Sequence, residues 1–246
     1  MIPRIVMAEA LDHLAADDPD AIRSRIDLQR VHRSMGTRAI LLRGLNAMTA
    51  GQHKATPLRL LEIGAGDGSL MLGVAQAMAP RCAPVELTLL DRQSLVDQST
   101  IERYAQVGWT AVKKVGDVFD WAAGSLDPVQ AGSATAPWDL IVANLFLHHF
   151  QDAPLASLLA AIASRSRQFF ACEPRRDWLA LAGSHMVGAI GANHVTREDS
   201  VLSVHAGFNG DELTALWPNQ AGAWQVQEYS AGLFSHCFRA ERPALS

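Results

Sequence analysis

From residue 57 onward, short apolar runs alternate with stretches of helical periodicity. The runs cover residues 58–63, 85–90, 111–115, 138–145 and 168–172. They show little polar alternation, which suits strands buried on both faces of a parallel sheet. Between them, residues 69–78, 94–104 and 153–163 place apolar side chains at helical spacing and fit crossover helices. That rhythm predicts an α/β, Rossmann-like doubly wound sheet. After Glu173 the pattern slackens. Residues 176–193 read as helical and apolar, and residues 211–217 as a short helix between Gly210 and Pro218. Residues 224–229 and 233–240 alternate, as a closing antiparallel hairpin would. The stretch 124–137 (GSLDPVQAGSATAP) reads as a surface loop.

The first 50 residues read differently. Over 21–45, Ile22, Ile26, Leu28, Val31, Met35, Ile40, Leu41 and Leu42 fall mostly at helical spacings. Arg23, Arg25, Arg30, Arg33 and Arg38 lie between them and suit a solvated face. The cluster Asp17-Asp18-Pro19-Asp20 is placed to cap the start of this stretch, and Gly36-Thr37 to break it in two. The chain therefore divides into an N-terminal helical cover (1–50) and a main domain (51–246).

Composition narrows the classes without choosing one. The 246 residues, 49% hydrophobic and 19% charged, suffice for one sizeable core and exclude a disordered chain. A balance of 21 Lys+Arg against 25 Asp+Glu gives a net charge of −4 and no general pull on phosphate backbones, so no nucleic-acid partner is expected. Cys82, Cys172 and Cys237 form no C-x-x-C pair. No apolar run approaches the ~18 residues of a membrane span, and the start is not a signal peptide, so the expectation is a cytoplasmic monomer or homodimer.

The strongest chemical signal is the stretch Leu60-Leu61-Glu62-Ile63-Gly64-Ala65-Gly66-Asp67-Gly68-Ser69. A strand runs into a glycine loop and then a helix, where doubly wound sheets bind ligands. A dinucleotide fingerprint would place its third glycine at 69, which is Ser. Glu62 and Asp67 would also repel a diphosphate and favour a cationic ligand. S-adenosylmethionine, with a sulfonium and an ammonium beside an adenosine, meets that requirement. Asp91 ends the second run, where a carboxylate can accept from ribose hydroxyls. Asp117 follows the third, able to meet an adenine amine or to cap a helix, with Val118 or Phe119 against the ring. Asn144 and Leu145 fall at the same carboxyl edge.

Together, E-x-G-x-G-x-G, Asp91, Asp117 and the stretch DLIVANLFLHH resemble the class I S-adenosylmethionine-dependent methyltransferases over about residues 57–173. The resemblance implies a seven-stranded sheet with a reversed last strand. It implies that Glu62, Gly64, Ala65 and Gly66 line the methionine end of the cofactor, Asp91 and Arg92 the ribose, and Asp117 and Val118 the adenine, with Asn144 and Leu145 beside them. The stretches 27–33 (DLQRVHR) and 172–176 (CEPRR) resemble a bacterial small-molecule subgroup associated with secondary-metabolite and polyketide-type pathways.

For an acceptor hydroxyl or phenol a general base helps, and His is suited to the role. His149 is the first choice, with His194 and His185 behind it; a carbon or ionised-phenol acceptor needs no base. His148, Glu173, Arg175, Trp178 and Asn193 are candidates for the acceptor pocket, expected over about 174–210. No metal is expected, because the fourth strand ends in Asn144 and two histidines rather than paired carboxylates. The fourth strand also lacks the Asn/Asp-Pro-Pro-aromatic tetrad of DNA amino-methyltransferases. The leading expectation is methylation of a small, aromatic or polyketide-like molecule, O-methylation first and N- or C-methylation after it. Methylation of a protein or RNA, or a non-catalytic binding protein of the same fold, are the alternatives.

Overall fold

The computed structural model describes residues 2–50, 56–79, 84–126, 137–218 and 223–243. In chain order the elements are α1 (Pro19–Met35), α2 (Thr37–Thr49), β1 (Leu58–Ile63), α3 (Ser69–Met78), β2 (Val85–Asp91) and α4 (Gln98–Gln106). There follow β3 (Trp109–Val115), α5 (Val118–Ala122), β4 (Trp138–Asn144), α6 (Asp152–Arg165) and β5 (Ser166–Pro174). The chain closes with α7 (Trp178–His185), α8 (His194–Ala206), α9 (Glu212–Leu216), β6 (Gln225–Ala231) and β7 (Ser235–Glu241).

The strands lie in the order β3-β2-β1-β4-β5-β7-β6. β1 to β5 pair in parallel, and β7 runs antiparallel to both β5 and β6. The doubly wound sheet with a reversed last strand is thus the observed fold. The order reverses between β1 and β4, the switch point beyond which such sheets bind ligands.

Burial on both faces explains the apolar runs of β1, β4 and β5, whereas 111–115 lies in the edge strand β3, where Val112, Lys113 and Val115 are exposed. Leu58 and Leu60 of β1 join a cluster with Leu41 and Leu45 of α2, Met71 and Val74 of α3 and Tyr104 of α4. Leu61 and Ile63 face the other way, onto Trp121 of α5, Leu158 and Leu159 of α6 and Leu213 of α9. α2 therefore sits in the main core, although the sequence places it in the cover.

Asp18 caps α1, accepting from Asp20 N and Ala21 N, with Pro19 in the first turn. Gly36, at φ +69°, ends α1 in the left-handed conformation and turns the chain into α2, as its sequence predicts. Two local readings differ. The first residues are not helical: residues 2–9 have no regular secondary structure and lead into a 3₁₀ turn at Ala10–Asp12. Three backbone N–H groups of the segment donate to α8, Ile5 N to His205 O at 3.0 Å and Ala10 and Leu11 N to Asp199. The stretch 176–193 breaks at Met186 into α7 and a 3₁₀ turn, Val187–Ile190. Residues 127–136 of the Gly/Ala/Pro/Ser-rich stretch, and Cys82, lie outside the described residues. No helix among the described residues is long and apolar enough to cross a membrane.

Candidate functional site

A cavity of about 480 Å³ opens at the carboxyl ends of β1, β2 and β4. Its floor is the glycine loop. Gly64 has φ +71°, and a Cβ there would lie 2.4 Å from the Phe146 ring, so both conformation and space require glycine. Above Gly66 the space is open, with no atom within 4 Å of a built Cβ. Asp91 holds the loop in place. Its Oδ2 accepts from Gly66 N at 2.8 Å and its Oδ1 from Gln93 N at 2.9 Å. Each oxygen keeps a lone pair for a ligand. Burial raises the Asp91 pKa despite those two hydrogen bonds.

Asp117 lines the cavity and caps α5, accepting from Phe119 N at 2.7 Å. Both of its sequence readings are compatible with this position. Leu145 follows β4 with φ +49°, the one non-glycine residue with positive φ among those described. That conformation costs on the order of 1–3 kcal/mol and occurs where surrounding structure imposes it. Its N–H donates to Cys172 O at 2.9 Å.

The wall beside the loop is acidic and unsatisfied. Glu62 is 3% exposed, and its Oε2 has no hydrogen-bond partner; Asn144 Oδ1 is buried and equally without one. Burial, with Asp67 and Asp91 nearby, pushes the Glu62 carboxyl up to about 8. Buried acceptors without donors are costly, so these two atoms mark a place for a ligand carrying N–H groups or positive charge. From above, α1 lays Arg25, Leu28, Gln29 and His32 along the cavity. Gln29 Nε2 donates to Asp67 Oδ2 at 2.9 Å, and Arg25 Nη2 to Gln93 Oε1 at 2.9 Å. Burial lowers the His32 pKa to about 4, keeping that ring neutral.

The opposite wall is built from the 3₁₀ turn Leu147–His149 and is internally satisfied. Glu173, fully buried at the end of β5, accepts from Phe146 N, from Leu147 N at 2.9 Å and from His148 N. It also lies 2.8 Å from His148 Nδ1. His148 Nε2 lies 3.3 Å from Glu9 Oε1, which also accepts from Ser203 Oγ. Burial opposes protonation of His148, but the hydrogen bonds and charges of Glu173 and Glu9 outweigh it and raise the pKa to about 9. His149 stacks beside it, ring centroids 4.2 Å apart, with Nδ1 at 3.2 Å from Asp12 Oδ2. Glu9, His148 and His149 bring three potential metal-ligand atoms within 4.8 Å. Both nitrogens of His148 are already engaged, so the group is satisfied without an ion.

All ten sequence-expected cofactor residues line this one cavity: Glu62, Gly64, Ala65, Gly66, Asp91, Arg92, Asp117, Val118, Asn144 and Leu145. So do His148 and His149. Six other candidates do not. Glu173 is consumed in holding the 3₁₀ turn, and Arg175 pairs with Asp177 at 2.7 Å. Asn193 caps α8, and His194 begins that helix exposed. His185 and Trp178 belong to α7, exposed, Trp178 by 73%. The reason is geometric. α7 and α8 pack on each other beside the sheet edge, and within 174–210 the cavity meets only Ser203. The segment before α1 lines the cavity instead, through Met7, Glu9, Leu11 and Asp12, none of them a sequence-expected site residue. The i, i+3 carboxylates at 9 and 12 were the available signal, without any local pattern naming their partners over 130 residues away.

Residues 32–238 match the family of methyltransferase domains. The chain belongs to this family. It is an S-adenosylmethionine-dependent methyltransferase, as the loop and its carboxylates anticipated. No protein with a curated description matches it. Solved structures of similar fold include the plantazolicin methyltransferase BpumL in complex with SAH, 14% identical, with 92% of each chain covered and a TM-score of 0.62. Another is an O-methyltransferase family protein from Burkholderia thailandensis, 13% identical, covering 94% of this chain and 62% of that one, with a TM-score of 0.59. The mitomycin 7-O-methyltransferase MmcR is 18% identical over 95% of this chain and 60% of its own, with a TM-score of 0.50. The unpartnered Glu62 and Asn144 oxygens and the open space above Gly66 fit a cofactor with an ammonium and a sulfonium.

Proposed function

We propose that this methyltransferase acts on a small aromatic or polyketide-like molecule and transfers the methyl group to oxygen. S-adenosylmethionine, when bound, supplies a methyl carbon activated by its positive sulfur. In this reading Glu62 and Asn144 take its ammonium end, Asp91 and Arg92 the ribose, and Asp117 and Val118 the adenine. Gly64, Ala65, Gly66 and Leu145 shape the floor between them.

The chain's own task is to place the acceptor, exclude water and remove a proton. The observation that carries the oxygen assignment is His149. Of the three histidines expected as base it alone lines the cavity, and its Nε2 has no hydrogen bond among the described residues. His148 has both ring nitrogens taken and cannot serve. Phe146 and Phe150, packed at 5.2 Å, give the same wall an apolar surface for a planar acceptor. The O-methyltransferase family protein and the mitomycin 7-O-methyltransferase among chains of like fold support the choice of oxygen.

The test uses methyl-labelled S-adenosylmethionine with a panel of phenols, aromatic amines and 1,3-dicarbonyls. Phenols should be labelled, and His149→Ala should lower their turnover by ~10²–10⁴-fold with unchanged cofactor affinity. Label appearing only on nitrogen or carbon, or full phenol turnover in the variant, would overturn the oxygen reading.

A further inference from the structure

The segment before α1 does more than cover the cavity. It is hydrogen-bonded to α8 through Ile5, Ala10 and Leu11 and carries Glu9 and Asp12 to the two adjacent histidines on the 3₁₀ turn after β4. Glu9 is committed elsewhere, because one of its oxygens serves both His148 and Ser203. Asp12 is the carboxylate that faces His149, with Oδ2 at 3.2 Å from Nδ1. Its other oxygen lies 3.8 Å from Arg92 Nη2, and that same guanidinium nitrogen donates to the Asp12 carbonyl. The carboxylate is thereby fixed from the main domain as well as from its own segment. The Asp12 carboxyl lies below its usual range: burial raises it, but His149 and Arg92 outweigh that.

From this juxtaposition we infer that Asp12 is a positioning residue for methyl transfer: it holds His149 with the proton on Nδ1, leaving Nε2 bare toward the cavity. The inference rests on the reading of His149 as base. A neutral imidazole carries one ring proton, and the group bonded to one nitrogen decides which nitrogen is free to accept. A carboxylate can only accept, so beside Nδ1 it selects the Nδ1–H form. An amide in its place can donate to Nδ1 and trap the opposite form, with the proton on Nε2 and no base facing the acceptor. The proton removed from the acceptor then has a defined path, from its oxygen to His149 Nε2, giving an imidazolium that Asp12 stabilises and that later returns the proton to water.

The first readout needs no acceptor. Nitrogen-15 histidine spectra of the whole protein at alkaline pH, with the rings neutral, should show the Nδ1–H form of His149 dominating, and Asp12→Asn should shift the ring toward the Nε2–H form, while Asp12→Glu restores it. The segment's remaining anchors do not involve Asp12: Arg4 to Ala206 O and Phe150 O, Ile5 to His205 O, and Asp199 to Ala10 and Leu11. The variant should therefore fold with the segment seated. The second readout uses a phenol labelled in the panel described above. Asp12→Asn should lower kcat ~10–100-fold with little change in KM, and should add less than twofold to His149→Ala. A predominantly Nε2–H ring in the unmodified protein overturns the inference without any variant. So does an unshifted ring in Asp12→Asn, or an undiminished effect of that change in the His149→Ala background. If His149→Ala leaves phenol turnover intact, the base reading falls instead, whatever the spectra show.

Discussion

The two walls of the cavity carry similar residue types and opposite states of satisfaction. On the glycine-loop side, Glu62 and Asn144 present buried acceptors without donors, and Glu62 is pushed toward neutrality. On the histidine side, Glu173, His148, Glu9 and Ser203 form a closed chain of hydrogen bonds. Buried polar atoms left unpaired cost free energy unless a ligand completes them, whereas a satisfied network holds its shape alone. The first wall is accordingly the one with acceptors open to a ligand. The second is a rigid mount that leaves one group, His149 Nε2, uncommitted.

The comparison breaks most visibly at Asp91, which braces the loop and, in the proposed reading, also holds the ligand. Hydrogen bonds to a charged group are worth about 1.5–3 kcal/mol each. Losing two of them predicts that Asp91→Ala weakens S-adenosylmethionine binding on the order of 10²–10⁴-fold by calorimetry. Near-normal affinity would remove the ribose role and leave Asp91 as a loop brace only.

Glu62 sharpens the comparison at about tenfold. With its carboxyl raised to about 8, it is largely protonated in the free protein at pH 7. A cationic ligand favours the ionised form, so binding should release a proton, and affinity should improve as pH rises from about 6 to 7.5. Calorimetry at pH 7 in phosphate and in Tris should give different heats. Glu62→Gln should abolish that difference and cost about tenfold in affinity. Identical heats in both buffers with the unmodified protein would mean that Glu62 does not face the positive end of the ligand.

The loop wall was legible because every part of it is local. A strand, a glycine turn and a carboxylate at each strand end are short-range patterns, and the parallel register places Ile63 beside Leu90 and Ala143 automatically. The histidine wall was only half legible. The adjacent pair His148-His149 was visible at the end of β4, but neither its division into a fixed and a free ring nor the origin of its carboxylates could be read. Glu9 and Asp12 reach it only because residues 2–11 find their backbone partners on α8, a tertiary choice that overrides local pattern. The same packing leaves His185, His194 and Trp178, expected beside the acceptor, exposed on α7 and α8.

The smallest effect tests the mount itself. His148 is raised from 6.5 to about 9, so the folded state binds its proton more tightly than the unfolded chain does. The stability this supplies is complete below about pH 6.5 and disappears as pH rises through 9. Glu62 has a raised value too, and its contribution falls with the same sign, but between about pH 4.5 and 8. Over the interval from pH 8 to 9.5 the tail of the Glu62 loss and that of the buried Cys172 thiol, whose pKa is also raised, are common to the unmodified protein and His148→Gln, so the difference between them reports His148. Over it, Tm of the unmodified protein should drop by a few degrees more than Tm of His148→Gln, which has no imidazolium to lose. Parallel curves for the two proteins across that interval would mean that Glu9 and Glu173 are not held together by a charged ring, and the contrast between the two walls would fail.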